Sequence, residues 1–155
     1  YRGSFNGGAT WTGPFQFNTS HWKFRLICSC TGFFQEYGTG CVGSAGVPEM
    51  EGSGCPSPGD TVLISIEQGP PSATVLLGVG GGSASLPISP TCMLQNLPLL
   101  LAPSVFNLGP AGNITLFGPL PPNSPTIDFY LQAILVDAGV SAGFSSTRPL
   151  RMHVQ

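Results

Sequence analysis

The chain has 155 residues and 41% apolar content, which fits one domain with its own hydrophobic core and argues against intrinsic disorder. Charged residues make up only 8%, with a formal net charge of -2. The basic residues Arg2, Lys23, Arg25, Arg148 and Arg151 form no stripe that could neutralise phosphates, so a nucleic-acid partner is excluded. No apolar run approaches the roughly 18–20 residues that a membrane span needs.

Glycine (22) and proline (16) interrupt the chain too often for a long helix, and short apolar runs bounded by turn residues point to an all-β fold. Near the start, Asn6-Gly7-Gly8 offers the positive φ angles of a tight hairpin. His21–Cys30 is the clearest strand. Trp22, Phe24, Leu26, Cys28 and Cys30 share one face; His21, Lys23, Arg25, Ile27 and Ser29 share the other. The stretch Tyr37–Gly59 is rich in Gly, Ser and Pro, and after Thr61 the chain becomes aliphatic and almost uncharged.

Strands are expected at Thr61–Glu67, Ala73–Val79, Asn113–Phe117, Ile127–Val136 and Leu150–Val154, with weaker ones at Leu97–Leu101 and Ser104–Leu108. Pro98 and the Pro119–Pro122 cluster belong on edges or crossings, because proline cannot donate to a sheet ladder. Ile127–Val136 is apolar on both faces apart from Asp128 and Gln132, which places it centrally. These elements suffice for an antiparallel β-sandwich of jelly-roll or immunoglobulin-like type, stapled by disulfides. Residues 1–36 read as N-terminal strands that link or exchange, and residues 37–155 as the sandwich domain.

The cysteines are Cys28, Cys30, Cys41, Cys55 and Cys92. Cys41 and Cys55 lie in Gly/Pro/Ser loops, where burial gives no reason for a thiol, so disulfides and a secreted, extracellular or cell-surface location are expected. The odd number leaves one thiol free or bridged to another chain. The chain starts at Tyr1, which would fit removal of a signal peptide. Cys28-Ser29-Cys30 lacks the Cys-x-x-Cys spacing and helix start of a redox pair. Zinc would need four ligands, and only His21 and His153 could join the cysteines, so no metal site is expected.

Catalytic patterns do not assemble. Gly139-Val140-Ser141-Ala142-Gly143 matches a nucleophile elbow in letters, but no acid follows it and His153 lies on a strand. The carboxylates Glu36, Glu49, Glu51, Asp60, Glu67, Asp128 and Asp137 show no local pairing of glycosidase type, and Glu49 and Glu51 read as a solvated loop or a weak cation contact. Gly78–Ser83 has neither the lysine nor the helix of a phosphate loop. No enzyme activity and no cofactor are therefore expected. Asn18 and Asn113 begin N-glycosylation sequons, and Trp11, Trp22 and Tyr37 are candidates for a sugar-binding platform.

Ser4–Trp11 resembles the Asp-box hairpin of sialidase-type propellers, with Asn6 where that family usually has Asp; the resemblance implies a structural turn. Tyr37-Gly38-Thr39-Gly40-Cys41, followed by Gly43–Pro48 and Gly54-Cys55-Pro56, resembles the start of a C-terminal module of secreted planctomycete and myxobacterial proteins. Cys92 with Leu97–Leu101, Gly109–Gly112, Tyr130–Ala133 and Gly143–Thr147 continue that likeness. It implies a secreted β-module without particular chemistry. It further implies a Cys41–Cys92 bridge, which would leave Cys55 for Cys28 or Cys30.

Scarce charge, an odd cysteine and separable N-terminal strands suggest an extracellular structural protein: a self-associating or surface-attached block forming a homo-oligomer or homopolymer, such as a filament. The alternative is a carbohydrate-binding or adhesin module.

Overall fold

A computed structural model describes residues 30–155. The hairpin at 4–11, the strand from His21 up to Cys30, Trp11, Trp22, Asn18 and Cys28 lie outside the described residues.

Among the described residues ten strands follow in order: β1 (Phe33–Glu36), β2 (Glu49–Ser53), β3 (Thr61–Glu67), β4 (Thr74–Ser89), β5 (Cys92–Leu99), β6 (Ser104–Asn107), β7 (Ile114–Pro119), β8 (Ile127–Val136), β9 (Phe144–Ser146) and β10 (Leu150–Val154). The larger sheet runs β1-β10-β8-β4-β5, with β6 also on β4 and β9 also on β8; the smaller runs β2-β3-β7. All pairings are antiparallel. The two sheets pack face to face as a disulfide-stapled β-sandwich.

Period-two alternation builds the core. Val62, Ile64 and Ile66 of β3 point inward, while Thr61 and Glu67 are exposed. They meet Val75, Leu77, Leu131, Ala133, Leu135, Leu150, Met152 and Val154 from the larger sheet. Each fully buried aliphatic side chain of this size contributes about 1.5–3 kcal/mol. The ring of Phe34 on β1 lies directly over Gly52 on β2, filling the space a side chain there would take.

The strands at Thr61–Glu67, Ile127–Val136 and Leu150–Val154 have the expected bounds, and β8 is central, between β10 and β4. Pro98 sits on β5 at a sheet edge. Other elements differ from expectation. The strand at Ala73–Val79 continues through the glycine run to Ser89, and its partner begins at Cys92 instead of Leu97. Glycine is needed there for space: a Cβ on Gly80 would overlap the backbone of Asn96 on β5. Register shifts between Gly80 and Ser89 then bend this hairpin.

Glu49 and Glu51 lie on a strand, not in a loop; they project outward from β2 while Met50 between them is buried. Phe33–Glu36 pairs with β10, so the larger sheet begins within the segment 1–36.

Candidate functional site

On β10 the inward turn of Leu150, Met152 and Val154 leaves Arg151 and His153 on the outer face. The register places Asp128 of β8 beside His153, and Phe33 of β1 on the other side of it. Arg151 clamps Asp128 with two bonds, Nε to Oδ1 at 3.1 Å and an Nη2 to Oδ2 at 2.8 Å. His153 Nδ1 lies 2.8 Å from Asp128 Oδ1, and its Nε2 lies 3.3 Å from Gln155 Oε1. Phe33 stacks on the His153 ring at 5.0 Å, with the Arg151 guanidinium 5.4 Å from its centroid. The Arg151 hydrogen bonds hold the Asp128 carboxyl below the usual range, helped by His153 and opposed by partial desolvation. Both ring nitrogens of His153 thus face Asp128 and Gln155. The cluster sets an aromatic ring beside an ion pair on the outer face of the larger sheet.

Gly139–Gly143 forms the tight connection between β8 and β9, closed by Gly143 N–H to Val140 O at 3.0 Å. Ser141 is exposed there, with a strand and not a helix following it. Among the described residues no three His, Cys, Asp or Glu side chains gather in a way that could hold a metal ion.

Tyr37 is half-buried further along the same face, against Tyr130, the cross-strand partner of Arg151. Its hydroxyl donates to the Gln95 carbonyl at 2.6 Å, and its ring meets Tyr130 edge-on at 5.7 Å. Burial, with the neighbouring Tyr130 hydroxyl adding, pushes its pKa up to about 12. Beneath it the buried Gln132 accepts from Gln95 N–H at 2.7 Å and donates to the carbonyls of Met93 and Thr147 at 3.1 and 3.2 Å. This network fastens β5 across the outer face of the sheet. Tyr37 serves as part of that fastening, whereas Phe33, 41% exposed, presents its ring outward.

Among the described residues the disulfides are Cys41–Cys92 and Cys30–Cys55, with Cα separations of 5.3 and 5.6 Å. The first is the bridge implied by the secreted-module resemblance, and Cys30 is the partner of Cys55. Asp137, buried after β8, grips the loop that follows Cys41. Its carboxylate accepts from Ser44 N–H at 2.7 Å, Ser44 Oγ–H at 2.8 Å and Gly139 N–H at 2.9 Å. Asn113 is exposed in the turn before β7, and the Thr115 hydroxyl lies 3.3 Å from that of Ser65 on the outer face of the smaller sheet.

The largest asymmetry is in charge. Between Glu67 and Asp128 the sequence holds no Asp, Glu, Lys, Arg or His, and this interval supplies β4, β5, β6 and β7. Among the described residues β6 pairs only with β4, and β7 only with β3. Phe117 on β7 is 74% exposed, and Val105 on β6 and Leu101 beside it are each 66% exposed. Val105 pairs with Leu76, also exposed, which widens the apolar surface. The uncharged stretch was visible in the sequence, but its outward apolar side chains were not: on β7 they follow from Ile114 and Leu116 taking the inward positions.

No family model, curated protein or solved structure matches the chain.

Proposed function

We propose that this protein is an extracellular structural module that associates with copies of itself through the flank formed by β6 and β7. One observation carries the reading: both edge strands come from the charge-free interval, and they hold Val105 and Phe117 out to solvent. An edge strand offers unpaired N–H and C=O groups, and proteins that stay apart usually blunt such edges with charge. Here no charge has to be desolvated when two copies meet. Two disulfides fit an oxidising, extracellular setting.

The test is sedimentation across a concentration series, with negative-stain imaging of the same samples. Defined oligomers or filaments that Val105→Lys and Phe117→Lys disperse are the expected result. Wild-type protein that stays monomeric at millimolar concentration would overturn the reading. A second reading, a carbohydrate-binding or adhesin module, rests on the exposed Phe33 ring beside the Asp128–Arg151 pair. Its check is a glycan screen in which any hit must weaken on Phe33→Ala.

A further inference from the structure

The two flanks of the sandwich differ in charge. On one, β1 and β2 lie together where Phe34 covers Gly52; Glu36 ends β1, and Glu49 and Glu51 project outward from β2. Arg148 stands beside them, 3.6 Å from Glu36. On the other, β6 and β7 carry no charged side chain, and Asp60 and Glu67 stand at the ends of β3, one strand in from that edge.

Edges so unequal restrict which surfaces can meet. A head-to-tail contact would set Glu49 and Glu51 against β6 and β7, which hold no cation to pair with them, and their desolvation would go uncompensated. A contact between two copies of the β6/β7 flank buries no charge from those strands.

The backbone of β6 is placed to pair with its own copy. Leu108 N–H donates to the Ala73 carbonyl at 2.9 Å, continuing the register in which Phe106 faces Val75 and Ser104 faces Leu77. Antiparallel bonding alternates, so Ser104 and Phe106 turn their N–H and C=O groups to β4, and Val105 and Asn107 turn theirs outward.

We propose, on the footing of the self-association set out above, that a second copy docks through the same flank. β6 pairs antiparallel with β6 about a two-fold axis normal to the sheets, and assembly stops at a closed dimer. With Val105 opposite Asn107 of the second copy, each β6 strand uses all of its outward groups. That register sets Phe106, which packs on the core, opposite its own counterpart on the axis and keeps Val105 on the outer face. The two Val105 side chains become diagonal neighbours, near enough for long substituents to meet. The same axis brings β7, with Phe117, alongside β7 of the second copy.

Sedimentation equilibrium with charge-swapped variants tests this contact. Wild-type mass should rise with concentration to twice that of the monomer and level off. Val105→Lys and Val105→Glu, at a position 66% exposed, keep the fold. Each alone should weaken the dimer at least about 10-fold, because like charges meet across the axis. An equimolar mixture of the two should restore it. Mass that climbs past the dimer would overturn the two-fold contact and leave self-association standing. So would a Val105→Lys variant that associates as well as wild type, because head-to-tail contact would bring that lysine to Glu36, Glu49 and Glu51. A mixture that stays monomeric while wild type dimerises would overturn the contact as well. Wild-type protein monomeric at millimolar concentration would overturn both the contact and the self-association.

Discussion

Asp137 holds Ser44 by both its backbone N–H and its hydroxyl, at 2.7 and 2.8 Å, across 93 positions of sequence. With Gly139 N–H as a third donor, the carboxylate locks the loop after Cys41 onto the end of β8. Burial by itself would raise the Asp137 pKa, but the three hydrogen bonds outweigh it and the net shift is downward. Stability from this group is therefore fully present above the unfolded carboxylate value and lost as pH falls through the lowered folded value. Asp137→Ala should cost about 2–4 kcal/mol in urea unfolding at pH 7. The difference between wild type and variant should narrow below about pH 4. A cost independent of pH would contradict the role of the charge.

Tyr37 works at the alkaline end. Its pKa is raised to about 12, so its contribution is complete below the ordinary tyrosine value of 10.0 and is lost as pH rises through the folded value. Phenolate absorbance should show one tyrosine titrating near pH 12, absent in Tyr37→Phe. That variant also leaves the Gln95 carbonyl without its hydroxyl donor and should lose about 1 kcal/mol at pH 7.

The contact between Phe34 and Gly52 sets the spacing of the sheets on the β1/β2 side. A methyl group at Gly52 would overlap the ring, so Gly52→Ala should destabilise by about 1–3 kcal/mol. Phe34→Leu in the same chain should recover part of that loss, measured as a double-mutant cycle in denaturant. Additive effects would show that the overlap is not the cause.

The Cys41–Cys92 bridge closes the longer loop, a separation of 51 residues against 25 for Cys30–Cys55. Replacing Cys41 and Cys92 by Ser should lower stability by about 2–4 kcal/mol, and replacing Cys30 and Cys55 by somewhat less, on chain-entropy grounds. Thermal unfolding of the two double variants beside wild type ranks them directly.

Sequence by itself determined the all-β class and the strands β3, β8 and β10. Alternation in Thr61–Glu67 and Leu150–Val154 encodes one buried face locally, and the apolar run Ile127–Val136 marks a strand covered on both sides. Strands β1, β2 and β9, of four, five and three residues, are too short to carry a period; only their partners β10, β3 and β8 make them strands. Glu49 and Glu51 look like loop residues until Met50 between them is seen to be buried.

The bonding of Cys30 to Cys55, the gathering of Phe33, Asp128, Arg151 and His153, and the turning of Val105 and Phe117 to solvent were decided only by tertiary structure. For the cluster and the two apolar side chains the cause is register between distant strands, since a shift of one residue would have sent each of them to the opposite face.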